Sequence, residues 1–234
     1  MPSGKKSKQA RRAANTSAPP PVRSKGGPPR PREWLQGRRT WYLGGAAVVV
    51  VAVIVVAVAL ASGGSSAKPF YVDFSAMGGL QNGPPPWNNG SGELQDHLSD
   101  VNLDPLSQEA LAFHIHQHLD VYVNGKHVTV PALVGIFDNT FITEVHTHDT
   151  SGIVHVESAK NRPYTLGQFF GEWSVRVSTD CLGRYCGSLS WWVNGVKQTG
   201  NPAELVLRPH QEIVIAAGKP PAQVPKSYKF PAGL

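Results

Sequence analysis

Thiols and thioethers are scarce in this chain: two cysteines and two methionines in 234 residues, and the only methionine beyond residue 61 is Met77. That excludes a soft-ligand carrier of cuprous copper, which favours Cys and Met. The two cysteines, Cys181 and Cys186 in "CLGRYC", are not spaced C-x-x-C, so they are expected to close a small disulfide loop in an oxidising compartment. In the chain-entropy model so short a loop contributes about 2 kcal/mol. No serine stands in a G-x-S-x-G elbow, and no Gly-rich phosphate loop precedes a helix. Acidic residues are nearly absent at the start: residues 1–40 hold 11 Lys and Arg against the single acid Glu33, a charge of +10. The rest of the chain carries −4. The net charge of +6 therefore belongs to a tail and not to a folded face, which argues against nucleic-acid binding.

What is present falls into segments. Residues 1–40, rich in Pro, Gly, Lys and Arg and without an apolar period, read as a disordered cytoplasmic tail. Residues 41–61, "WYLGGAAVVVVAVIVVAVALA", contain no charge. As a helix they would reach about 31 Å, the thickness of a bilayer's hydrocarbon core. The basic residues before them predict an N-terminus inside and residues 62–234 outside the cytoplasm, with the lipid bilayer as a partner and anionic inner-leaflet lipid as a partner of the tail. A cleaved leader, ending near "ALA" at 59–61, is the competing reading. Residues 62–103 read as a linker and a Gly/Pro-rich arm, 104–218 as an extracytoplasmic β domain, and 219–234 as a Pro-rich tail draped over it.

Within that domain "DPLSQEAL" at 104–111 suggests one or two helical turns. Period-two alternation then suggests strands at 112–123, 126–130, 140–148, 153–158, 174–178, 188–194, 204–208 and 212–216. The Asn-Gly pairs at 124–125 and 194–195 and "DTSG" at 149–152 supply turns. One helix interrupts the strands, with Thr165 as N-cap and Leu166, Phe169, Phe170 and Trp173 as its apolar stripe. The fold class expected is mainly β, a sandwich or small barrel with one short helix. Trp191 and Trp192 point to opposite faces of one strand, so both are core only if the strand is covered on both sides, and otherwise one is exposed as a contact point.

Histidines are the unusual feature. In "AFHIHQHLDVYVNG" His114, His116 and His118 share a face with Asp120 and Tyr122. Alternation likewise groups Glu144, His146 and His148, and separately Ile153, His155 and Glu157. If "DTSG" is a four-residue hairpin loop, His148 pairs with Ile153 and His146 with His155. Six of the nine histidines thus lie on two faces that could converge. His114 and His118 are about 13 Å apart along a strand and do not share an ion. A site is therefore expected to take one or two ligands from His114, His116 and His118, completed by His146, His148 or His155. Glu144, Asp149 and Glu157 are the available carboxylates. Neutral imidazole suits Zn²⁺ or Cu²⁺, and two histidines with one carboxylate would also suit iron.

The alternatives are a metal-dependent hydrolase or oxidoreductase with Glu144 or Glu157 as acid–base partner, and a cell-envelope interaction protein whose histidines are structural. "HIHQHLDVYVNGK", "EVHTHDTSGIVHVES" and "YTLGQFFGEW" together resemble a group of mainly actinobacterial membrane-anchored or secreted proteins carrying such segments in this order. The resemblance implies an exported domain whose histidine segments belong together, and assigns no activity.

Overall fold

A computed structural model describes residues 67–138 and 140–234. The tail at 1–40 and the apolar span at 41–61 lie outside the described residues, and no helix among the described residues is long and apolar enough to cross a membrane.

The strands are β1 (Phe113–Val123), β2 (Lys126–Val128), β3 (Ile136–Phe137), β4 (Phe141–Ile142), β5 (Val145–His146), β6 (Ile153–Ser158), β7 (Cys181–Leu182), β8 (Tyr185–Cys186), β9 (Leu189–Val193), β10 (Val196–Lys197) and β11 (Glu212–Ala217). Seven form one open sheet in the order β10-β9-β11-β1-β6-β5, with β2 also on β1. The edge strands β10 and β5 are two residues each and do not meet, so there is no closed barrel. The protein is mainly β, but the second layer is not a second large sheet. It is built from helices and irregular chain.

β1 organises the sheet. Its C-terminal half pairs in parallel with β11, Leu119 opposite Ile213 and Val121 opposite Ile215. On its other edge it pairs with β6 along 113–118 and with β2 along 121–123. Both Asn-Gly pairs make their hairpin turns, with Asn124, Gly125, Asn194 and Gly195 all at positive φ, as a type I′ turn requires. One face of the sheet carries Leu119, Val121, Val154, Val156, Ile213, Ile215 and Trp191 into the main core.

Two helices, not one, lie against that core. The expected helix is α2 (Leu166–Glu172); Thr165 and Gln168 exchange hydrogen bonds in a capping box, at 2.9 and 3.4 Å. The other, α1 (Ser91–Val101), falls in the segment read as an irregular arm. Its stripe is short, Leu94, His97 and Val101 being its only buried residues, and the polar composition hides it. Gly90 in the left-handed region admits the chain to the helix, and Asn102 in the same conformation ends it. The helices approach closely where His97 reaches the Gly171 carbonyl with Nδ1 at 3.1 Å; a Cβ on Gly171 would overlap Val101.

Several other expectations are corrected. Residues 104–111 form no helix; the segment is irregular and bridged to β4 through Leu106 and Ile142. Candidates 174–178 and 204–208 form no ladder and leave only the isolated bridges Val177–Leu182 and Thr165–Val206. Their apolar alternation reflects burial of chain outside the sheet: Val175, Val177 and Leu207 are core residues, and Leu205 packs against them partly buried. The candidate 140–148 breaks at Thr143–Glu144 into β4 and β5. Trp191 and Trp192 are both buried, because the C-terminal segment covers the second face of the sheet: Val224 packs with Trp192, Val214 and Ala216. Cys181 and Cys186 form the expected disulfide, across the β7–β8 ribbon.

Candidate metal centre

The face of the sheet opposite the main core holds the histidines. β1 and β6 pair so that His116 stands opposite His155, and His114 opposite Glu157. β6 and β5 pair so that His155 stands opposite His146, the register that the "DTSG" turn implied. One row of three imidazoles therefore crosses three adjacent strands. Ring centroids of His116 and His155 are 4.6 Å apart, and those of His155 and His146 are 5.5 Å apart and nearly parallel. His148 lies beyond the end of β5, not paired with Ile153, and its ring still reaches His155 at 4.5 Å. His116, His146, His155 and Glu157 are buried, whereas His114 and His148 lie at the rim with side chains 33% and 40% exposed.

Among the described residues, three groups of side chains bring ligand atoms within 4.8 Å of one another: His114, His116, His155 and Glu157; His146, His148, His155 and Glu157; and His118, Asp120 and Glu212. The hydrogen bonds separate them. His118 has an acceptor at each ring nitrogen, the Glu212 carboxylate at 2.9 Å from Nδ1 and the Ser151 carbonyl at 3.0 Å from Nε2. Burial would lower its pKa, but the hydrogen bond and charge of Glu212, with Asp120, raise it instead. Both nitrogens are occupied as donors, and Tyr228 of the C-terminal segment stacks on the ring at 3.8 Å. An acceptor at each ring nitrogen favours the doubly protonated ring, which has no lone pair to give a metal.

The second group has the opposite character. Nδ1 of His146 lies 2.9 Å from the Thr143 carbonyl, which can only accept, so Nδ1 carries the proton. Burial holds this ring neutral by lowering its pKa to about 3, and its Nε2 therefore presents a lone pair. That nitrogen faces His148 Nε2 at 3.2 Å and Glu157 Oε2 at 3.9 Å. Oε2 is buried with no hydrogen-bond partner. Acceptor atoms thus converge on a space with too few donors. A carbonyl fixing one ring nitrogen while the other points inward is how proteins hold metal-ligating histidines.

The first group shares Glu157. Its Oε1 accepts from His155 Nδ1 at 3.2 Å, and His114 Nε2 lies 3.0 Å from the same oxygen. His116 Nε2 is buried and unpartnered. Burial, with His155 and His114 as neighbours, brings the His116 pKa down to about 4. Burial would raise Glu157, but the His155 hydrogen bond and the nearby His146 and His114 outweigh it and hold the carboxyl at about 2. The centre is a cluster of imidazoles, two of them held neutral by burial, around one carboxylate.

The remaining carboxylates are elsewhere. Glu144 does not share a face with His146, because the bend at Thr143–Glu144 interrupts the alternation. It accepts from the Asp104 amide at 2.7 Å, Arg162 at 3.3 Å and Tyr164 at 3.3 Å. Asp149 is exposed and caps the Ser151 amide at 2.8 Å. Two acids went unanticipated: Glu212, brought to His118 by the parallel pairing of β11, and Glu109, 3.5 Å from His148 Nε2 at the rim. Neither lies in a patterned segment near the histidines. Glu172 of α2 is also buried with both oxygens unpartnered, since the neighbouring Thr143 hydroxyl donates to the Gly135 and Val145 carbonyls; burial pushes its pKa well up.

Comparison with protein-family models, curated proteins and solved structures gives no match. The described side chains therefore define a class by chemistry alone: a β protein with buried His and Glu groups at metal-binding separations.

Proposed function

We propose that this chain is a single-pass membrane protein whose part beyond residue 61 lies outside the cytoplasm and binds a divalent transition-metal ion, without catalysis, through His146, His148, His155 and Glu157. The observation that carries the reading is His146: a fully buried imidazole with Nδ1 tied to the Thr143 carbonyl and Nε2 aimed at His148 and an unpartnered carboxylate oxygen. Three imidazoles and one carboxylate form a complete tetrahedral set for Zn²⁺, and they also suit Cu²⁺; Fe²⁺ is the weaker fit with so many nitrogens. A complete set leaves no position for a substrate, which favours binding over the enzyme alternative. Glu157, held ionised, serves as an anionic ligand and not as a proton donor. The exposed His148 gives the ion a route in and out.

The test is metal content by mass spectrometry of the full chain in mild detergent, after equilibration with Zn²⁺, Cu²⁺ or Fe²⁺ and dialysis. The expected result is retained zinc or copper, with affinity reduced roughly 100-fold or more in His146→Ala, beyond the 10–100-fold that loss of an orienting partner costs. No retained metal in the parent chain would overturn the reading.

The membrane location is supported by the uncharged segment 41–61, the basic residues before it, and the disulfide beyond it. The basic tail would then meet anionic inner-leaflet lipid. Protease added to intact cells is expected to remove residues beyond 62 and to spare the tail; protection of the whole chain would sink this assignment.

A further inference from the structure

We infer that the centre holds two metal ions and that Glu157 bridges them, one oxygen to each. This rests on the metal-binding reading above and extends it to the other half of the cluster. The two ligand groups are not alternative descriptions of one cavity. Each has a private pair of histidines, His146 and His148 in one and His114 and His116 in the other, and the groups share only His155 and Glu157. The two pairs approach Glu157 from different sides. Oε2 lies 3.9 Å from His146 Nε2, and Oε1 lies 3.0 Å from His114 Nε2.

Each half contains a buried polar atom with no hydrogen-bond partner among the described residues, Oε2 of Glu157 in one and Nε2 of His116 in the other. Such atoms cost on the order of 1–3 kcal/mol each unless they gain a partner. A single ion at His146 and His148 satisfies the first and leaves His116 stranded. A second ion at His114 and His116 satisfies both. Two ions sharing a carboxylate sit about 3.5–4 Å apart in two-metal sites.

His155, between the pairs, completes the set of one ion. To take up the second ion, His114 presents Nε2, 3.0 Å from Oε1, without its proton, which sits on the other ring nitrogen. Its position at the rim leaves it room to turn. Glu109, near His148, adds a further negative charge at the opening.

The experiment is a Cu²⁺ titration of the full chain in detergent. Bound metal is counted by mass spectrometry, and unpaired spins are counted by electron paramagnetic resonance. The parent is expected to bind two ions per chain, and the spin signal is expected to fall as the second ion enters, since a shared carboxylate couples the two copper spins. Both rim variants, His114→Gln and His148→Gln, alter exposed side chains and keep the buried row intact. Each is expected to bind one ion with a full, uncoupled signal, and the double variant none.

Saturation of the parent at one ion would overturn the bridged pair and leave the single-ion reading standing. Two uncoupled ions, or a double variant that keeps one, would also overturn it, by placing the second ion elsewhere. No bound copper in the parent would overturn both readings.

Discussion

Acidifying the protein in the presence of a chelator is expected to destabilise it gently from pH 6.5 to pH 4.5 and steeply below pH 4.5. His116 and His146 have folded pKa values of about 4 and about 3 against an ordinary 6.5. As pH falls through 6.5 these rings take up protons in the unfolded chain but stay neutral in the folded one. The unfolded state then binds more protons, so stability drops by about 1.4 kcal/mol per pH unit for each ring. By pH 4 that is roughly 3 kcal/mol apiece, a large share of the 5–15 kcal/mol typical of a domain. Glu157 acts with them: its folded pKa of about 2 lies below the ordinary 4.5, so its contribution is present above pH 4.5 and lost as pH falls towards 2.

Glu172 and Glu212 act in the opposite direction. Burial raises both, so each favours the folded state more as pH falls towards 4.5, and gains nothing further below it. They offset part of the histidine loss in the upper window only. Denaturant unfolding at a series of pH values measures the curve. A flat stability between pH 4.5 and pH 3 would show that the buried rings are not held neutral. Glu172→Gln removes one offset, so it is expected to be more stable than the parent at pH 8 and to lose stability more steeply from pH 6.5 to pH 4.5.

Trp173→Ala is expected to cost about 3–5 kcal/mol, the range for deleting a buried aromatic. Trp173 is the largest fully buried side chain, packed against Trp87, Phe169 and Phe170 with ring centroids 5.5–6.0 Å away. Its Nε1 donates to the Asn88 carbonyl at 2.8 Å, but Gln81 Nε2 also donates to that carbonyl, at 3.1 Å. The carbonyl therefore keeps a partner, and the loss is mainly packing and cavity. At roughly 2–4 °C per kcal/mol for a domain of this size, the melting temperature should fall by about 10 °C. A drop of a degree or two would mean that the arm at 81–88 and α2 collapse into the space. Metal content at 20 °C should be unchanged, since Trp173 lies in the core on the far side of the sheet from the histidines.

Local periodicity determined a good deal of this protein. Alternation along 112–123 placed His114, His116 and His118 on one face and the apolar residues on the other, and β1 keeps that division along its whole length. The Asn-Gly turns and the loop at 149–152 are short-range features, so the hairpins and the His146–His155 register could be read from neighbouring residues. The same holds for the Thr165 cap and the Cys181–Cys186 bridge.

What alternation could not carry was any contact between segments distant in the chain. The pairing of β1 with β6 puts His116 opposite His155 across 39 residues of chain and makes Glu157 the shared carboxylate. The parallel pairing of β1 with β11 turns His118 away into an ion pair with Glu212, 94 residues on. Glu144 looked equivalent to Glu157 by spacing alone, and only the bend beside it sends it to Arg162 and Tyr164. The two pairings share one physical reason, whereas Glu144 is set apart by a bend in its own strand. Which face a side chain takes is set by its own strand's backbone, whereas what it meets there is set by strand order, a property of the whole packed chain.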